Sequence, residues 1–254
     1  MFLFWIKLII PFIVILVPIW MGQWLGKRQK STGGSGDHPG LGSVVAAGLG
    51  LFAFMLAFTF QITASRFESR KDLLLEDVNS IRKVYMNAGL LKDSNRIMCR
   101  KLIKEYLELR VLLSTNMAAL NEVRDRTQQV QDSLWLQAEA LAKEDRSSEI
   151  YALFISSVNE LIDVNNKRLV VALQYHIPSL IMIVLYFISF FSMLILGFQF
   201  GISGKSNINV SFTLAAAFVA VMMLIYALDS PEAGIIKISQ QPMLNLYEEI
   251  RKMP

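Results

Sequence analysis

Two small sets of side chains have a type and spacing that could do chemistry. Arg66 and Arg70 stand one helical turn apart just after a long uncharged run, Arg168 precedes a later apolar run, and Asp229 closes the last one. Ionisable groups at the edge of an apolar layer serve ion passage, topology or pairing with one another. The spacing leaves a charged pore mouth and an ion-pair belt both open. Phe54, Phe58 and Ile62 recur every four residues, which keeps them on one helix face. Contributed by several copies around an axis, such a ring would expel water and form a hydrophobic constriction. Facing lipid or a neighbouring helix, the same residues would be ordinary packing groups.

Catalytic constellations are absent, so the chain reads as a non-enzyme with no cofactor. His38 sits in a glycine-rich stretch and His176 at the border of an apolar run, and neither has a second histidine or cysteine at ligand spacing. No metal site is expected. Gly204, Lys205 and Ser206 resemble the end of a phosphate-binding loop, but Gln199 stands where that loop needs glycine and no strand precedes it. The Asn209, Val210, Ser211 glycosylation triplet abuts an apolar run and carries no weight. Cys99 is the single cysteine, unable to form an intrachain disulfide, and reads as a buried, inert thiol in a cytosolic setting.

The elements that must hold these residues are membrane helices. Hydrophobic residues make up 54% of the chain and charged ones 18%, with a mean hydropathy of +0.43, which exceeds an ordinary soluble composition. Val44 to Ala64 carries no charge and is long enough to cross about 30 Å of hydrocarbon. Ser65 to Tyr85 then keeps helical periodicity through Phe67, Leu74, Val78, Ile81 and Tyr85. No Gly or Pro intervenes, so one helix leaves the bilayer and continues about 30 Å into water. Within its span, Gly42, Ala46, Gly50, Ala53 and Ala57 form a small-residue stripe for close approach of another helix, which predicts a homo-oligomer. Gln61 and Thr63 are placed to bond across helices or line water.

Phe2 to Trp24 is another span. Pro11 and Pro18, with no small-x-small cleavage site after the apolar core, favour a retained helix over a signal peptide. Ile177 to Phe200 and Val210 to Leu228 complete four spans. The segments are therefore residues 1–64, two spans joined by a glycine-rich loop from Ser31 to Gly42; 65–176, a helical bundle; 177–228, two further spans; and 229–254, a tail. In the bundle, Gly89 and then Asp93 or Ser94 mark a helix stop and restart. Ile97, Tyr106, Leu109 and Leu113 lie along the next helix, and Val123, Val130, Leu134, Ala138 and Leu141 along a third. After a break at Lys143 to Ser148, Phe154, Val158, Leu161, Ile162, Leu169 and Ala172 mark a fourth, expected to run through a kink at Pro178 into the third span.

Without strand signals, the fold class is all-α: a four-span integral membrane protein with a helical bundle inserted between spans two and three. Four spans put the bundle and both termini on one side. Near the membrane that side carries Arg66, Arg70, Lys71, Arg82, Lys83, Lys167, Arg168 and Lys237, the other only Lys27, Arg28, Lys30 and Lys205. The basic excess makes the bundle, tail and termini cytoplasmic, in a multi-pass protein of the cell membrane. The bundle segment holds 17 Lys/Arg against 16 Asp/Glu, so it offers no basic field to nucleic acid. In the tail, Asp229, Ser230, Pro231 and Gly234 form a turn, and Pro242 starts a short helix bearing Met243, Leu246, Tyr247 and Ile250.

Several short runs resemble the bestrophin-like domain family of membrane proteins. They are Ala57 to Phe60, Ser65 to Phe67, then Asn159, Asp163, Arg168, His176 and Pro178, and finally Asp229, Pro231, Gly234, Ser239, Gln240, Gln241 and Pro242. The resemblance covers most of the chain from Leu41 onward. It implies kinship with bestrophin anion channels, in which a cytosolic helical region lies between spans two and three and the second span lines a pentameric pore. The Phe54, Phe58, Ile62 spacing is similar to the hydrophobic neck of those channels. The tail, however, has no acidic calcium-binding cluster like theirs, and the middle region is shorter. Two functions follow as expectations: an oligomeric channel or pore, with anions as the candidate ion and the second span at the axis, or a non-conducting scaffold or signalling protein whose bundle binds a cytosolic partner. Membrane lipids are the other expected partner.

Overall fold

The computed structural model describes residues 2–32, 40–115, 120–173, 177–204, 208–229 and 236–253. These form eight α-helices and no strand: α1 (Phe2–Ser31), α2 (Leu41–Ala88), α3 (Asp93–Thr115), α4 (Leu120–Glu144), α5 (Glu149–Leu173), α6 (Ser179–Ser203), α7 (Ile208–Asp229) and α8 (Gln241–Lys252). Most of the glycine-rich loop, with His38, lies outside the described residues, as do His176, Lys205, Ser206, Asn207, Ser230, Pro231 and Gly234. The chain groups into two compact units, Met1–Phe67 with His176–Lys237, and Glu68–Tyr175 with Ile238–Pro254.

The second unit is a soluble-type bundle. The seam anticipated on α2 is buried at Leu74, Val78, Ile81 and Tyr85, and it packs with Ile103 and Tyr106 of α3, Leu134 of α4 and Phe154 of α5. Each such side chain contributes about 1.5–3 kcal/mol when taken out of water. The short helix α8 adds Met243, Leu246 and Ile250 to the same core, so it is a fifth member of the bundle. Its proline occupies the first turn, where the missing N–H costs nothing. Lys104 donates to the Met253 carbonyl at 3.0 Å, and Arg82 pairs with Glu249 at 2.5 Å, tying down both flanks of α8. Between α4 and α5 the chain turns through Asp145, whose carboxylate accepts from the N–H and hydroxyl of Ser147 at 2.9 and 2.7 Å.

The first unit contains helices long and apolar enough to cross a membrane: Ile9–Ser31, the apolar half of α2, Ser179–Ser203 and Ser211–Asp229. The fourth bundle helix does not run through into the third of these. Helix α5 ends at Leu173, Ile177 and Pro178 are not helical, and α6 starts afresh at Ser179. The proline ring disfavours the α conformation at the residue before it, while its own φ of −53° suits the entry to a new helix. At the other end of α6, Gly204 adopts φ +69°, the left-handed cap that favours glycine.

Packing in this unit is organised by two glycine pairs. A Cβ at Gly22 or Gly197 would overlap backbone atoms of the facing helix, and so would one at Gly26 or Gly201. Gly22 lies against Gly197, and Gly26 against Gly201, so α1 and α6 run parallel with their backbones in contact. In hydrocarbon there is no hydrophobic drive to pair helices, and this close approach supplies dispersion contacts instead. Helix α2 runs antiparallel to α6: Gly42 faces Gln199, and the Ser192 hydroxyl donates to the Gly48 carbonyl at 2.9 Å. A side chain at Gly197 must therefore push α1 and α6 apart. Gly197→Leu is expected to cost about 1–3 kcal/mol or more, read as a lowered melting temperature of the purified protein in detergent; an unchanged melt would contradict this packing.

Candidate functional site

Helix α2 is the least committed of the four apolar helices. Only 17% of its most apolar stretch is buried, against 33% in each of the others. Its inward face is Val45, Phe52, Leu56, Thr59 and Thr63. Phe52 meets Phe218 of α7 with ring centroids 4.7 Å apart. The two threonines return their hydroxyls to the helix itself, Thr59 to the Met55 carbonyl at 2.7 Å and Thr63 to the Phe60 carbonyl at 2.8 Å. This satisfies them within an apolar surrounding without any partner helix.

The opposite face carries the residues singled out in the sequence. Phe54 is 65% exposed and Phe58 49%, while Ile62 is half-buried. The stripe of Gly42, Ala46, Gly50, Ala53 and Ala57 is exposed along its whole length, and a Cβ on Gly50 would meet nothing within the chain. Gly48, which the stripe did not include, packs against the Ser192 backbone and side chain, whereas Gly42 of the stripe meets only the end of the Gln199 side chain. Gln61 is exposed beside Phe58 and Ile62.

The four predicted charges divide between the two units. Arg66 and Asp229 belong to the first; both are half-buried, and an Asp229 oxygen accepts from the Ile177 N–H at 3.2 Å. Arg70 and Arg168 belong to the second, where Arg168 meets an acid the sequence reading passed over, Asp77. Asp77 is fully buried on α2, and its Oδ2 also accepts from Arg110 of α3, from Nε at 3.1 Å and Nη2 at 2.9 Å. Burial, with the like charge of Arg110 next, pushes the Arg168 guanidinium down from its ordinary range, and Asp77 opposes them. A guanidinium so basic remains charged regardless.

Around this triad lies more buried polarity. Tyr106 stands one turn before Arg110, with the Arg110 guanidinium 5.7 Å from its ring centre, and Gln131 of α4 lies alongside without closing a well-formed hydrogen bond. Thr127 and Asn165 are also buried, each a turn before a member of the group. A signal for all of them was present. Asp77 falls three residues after Leu74, Arg110 four after Tyr106, and Thr127 and Gln131 continue Val123 at intervals of four, so polar residues occupy core spacing. By contrast Cys99 behaves as expected: it is buried, and burial pushes its thiol up to about 11.

The described residues form eight helices, four of them of membrane-spanning length and apolarity, which define an all-α membrane protein with a separate helical bundle unit. The chain belongs to the bestrophin-like domain family, whose sequence profile matches residues 13–243. Solved structures share its fold. A bacterial bestrophin homologue from Klebsiella pneumoniae, phased by Zn-SAD, is 17% identical, with 96% of each chain covered and a TM-score of 0.65. A leucine-to-threonine variant of a bestrophin homologue from the same organism gives 15% identity, 97% of each chain and a TM-score of 0.67. A crystal structure described as a membrane protein variant gives 15%, 97% of this chain and 96% of the other, and 0.66. No curated protein matches the chain.

Proposed function

We propose that the protein is a homo-oligomeric membrane pore, selective for anions, with α2 of each copy at the axis. The observation that carries this reading is the face of α2 that the chain leaves uncovered: a stripe of small residues beside Phe54 and Phe58. Small residues let a second backbone approach closely, so copies of α2 can pack side by side with the phenylalanines directed inward. In that arrangement Phe54, Phe58 and Ile62 form the dewetted constriction, and Arg66 and Arg70 draw anions to its mouth. Membership of the bestrophin-like domain family supports the same assignment.

In this reading all four apolar helices cross the bilayer, so the bundle, the tail and both termini share one side, the cytoplasm. Helix α1 runs parallel to α6 and α2 antiparallel to it, which fits one crossing between α1 and α6 and none between α2 and α6. The basic residues flanking the bundle set its side. Residues 1–64 and 177–228 then form the membrane part, and 65–176 with 229–254 the cytosolic part. The alternative, a non-conducting scaffold, draws on apolar residues exposed on the bundle, among them Ile97 at 67% and Leu136 at 62%, which would receive a cytosolic protein.

Sidedness is tested with a thiol in the exposed turn between α4 and α5. Arg146→Cys is expected to react with an impermeant maleimide only after cells are permeabilised, while buried Cys99 stays silent. Labelling of intact cells would overturn the topology. Conduction is tested by anion flux from liposomes holding the purified protein. Phe58→Ala is expected to raise the flux above the parent by widening and wetting the constriction. An assembled Phe58→Ala protein with the parent's flux would remove the constriction from the account, and a parent without flux would favour the scaffold.

A further inference from the structure

Among the described residues, the buried ion group of the bundle unit sets two positive charges against one negative. Two guanidinium groups, Arg110 and Arg168, converge on one oxygen of one carboxylate, Asp77 Oδ2. The Asp77 side chain is 0% exposed and that of Arg110 7%, so water screens this part of the triad poorly. Hydrogen-bond donors are in excess too. Each guanidinium carries five N–H groups, and Asp77 Oδ2 engages only two from Arg110 and one from Arg168. Among the described residues the buried Tyr106 hydroxyl and the Gln131 amide lie next to each other without closing a well-formed hydrogen bond, and the Thr127 hydroxyl one turn before Gln131 has no hydrogen-bond partner. Burial pushes the Tyr106 phenol well above its ordinary value, which keeps it a neutral donor. Groups of this kind left unmet inside a well-packed bundle are rare, and each calls for a partner.

We propose that this cluster binds one monovalent anion of halide size inside each bundle, held by Arg110, the Tyr106 hydroxyl and the Gln131 amide N–H. One negative charge cancels the excess of the triad. A halide accepts donors from any direction, which suits a guanidinium and a phenol from α3 joined by an amide from α4. The second Asp77 oxygen, which has no hydrogen-bond partner among the described residues, repels an anion, so the ion is held by the donors of Arg110, Tyr106 and Gln131 and not at the carboxylate. Arg168, 24% exposed, is the member of the triad most open to solvent. The site lies within one chain and is independent of the pore reading.

The test uses the purified full-length protein in detergent. Thermal unfolding is followed as bromide or chloride replaces gluconate at constant ionic strength, and crystals grown in bromide are examined for anomalous scattering. The expected result is a saturable rise in melting temperature with halide and one bromide peak per chain beside Arg110 and Tyr106. Tyr106→Phe keeps the ring and the ion triad but removes one donor; it should weaken the halide midpoint about tenfold while leaving the melt in gluconate as high as the parent's. Should that variant fail to fold, Gln131→Met serves the same purpose with the same expected weakening. A melt indifferent to halide, a folded variant with the parent's midpoint, or crystals showing water but no bromide at the cluster would each overturn the proposal.

Discussion

Backbone contact between α1 and α6 is the constraint on which the membrane unit depends. Side chains gain little by leaving lipid for a protein interior, so cohesion there comes from atoms at van der Waals distance. Gly22 and Gly26 on one helix, with Gly197 and Gly201 on the other, bring whole backbones to that distance. With α6 committed to α1, α2 joins through a narrower contact at Gly48 and Ser192 and an aromatic one at Phe52 and Phe218. Its remaining surface, from Gly42 to Phe58, is left for lipid or for another copy of the chain.

The bundle unit obeys the opposite economy. Burial of apolar side chains drives it, and within that core a group of polar residues from four helices is retained around Asp77. Buried charges seldom add stability over apolar residues of the same size, although removing one partner of such a group costs several kcal/mol. Asp77 accordingly holds α2, α3 and α5 in one register, since a shift of any of them would strand a charge. The docking of α8 onto the same core, through Met243, Leu246 and Ile250, makes the end of the chain part of the bundle.

Periodicity and length made the helices legible in the sequence. The continuous α2, the restart at Asp93, the break near Lys143 and the proline at the head of α8 all stand in the structure as local rules require. Pro178 was misread as a kink, because a proline tolerated within a membrane helix and one that opens a new helix look alike until the residue before it is seen to be extended or helical. The glycine pairs of α1 and α6 were missed although both have the small-xxx-small spacing; that motif says a helix is close but not which one. Asp77 escaped for a related reason. A charge at core spacing has meaning only when its partners, Arg110 and Arg168, are brought near by the fold, 33 and 91 residues away along the chain.

The central claim is that the open face of α2 meets the same face of other copies around an axis. Placing a cysteine at Phe54 tests this most directly, with buried Cys99 as a silent background and Phe187→Cys, on an exposed position of α6, as the comparison. Mild oxidation of membranes should join Phe54→Cys chains into covalent dimers while Phe187→Cys chains stay single. Phe54→Cys chains that remain monomeric, yet react readily with a lipid-soluble maleimide, would put this face against lipid and contradict the account.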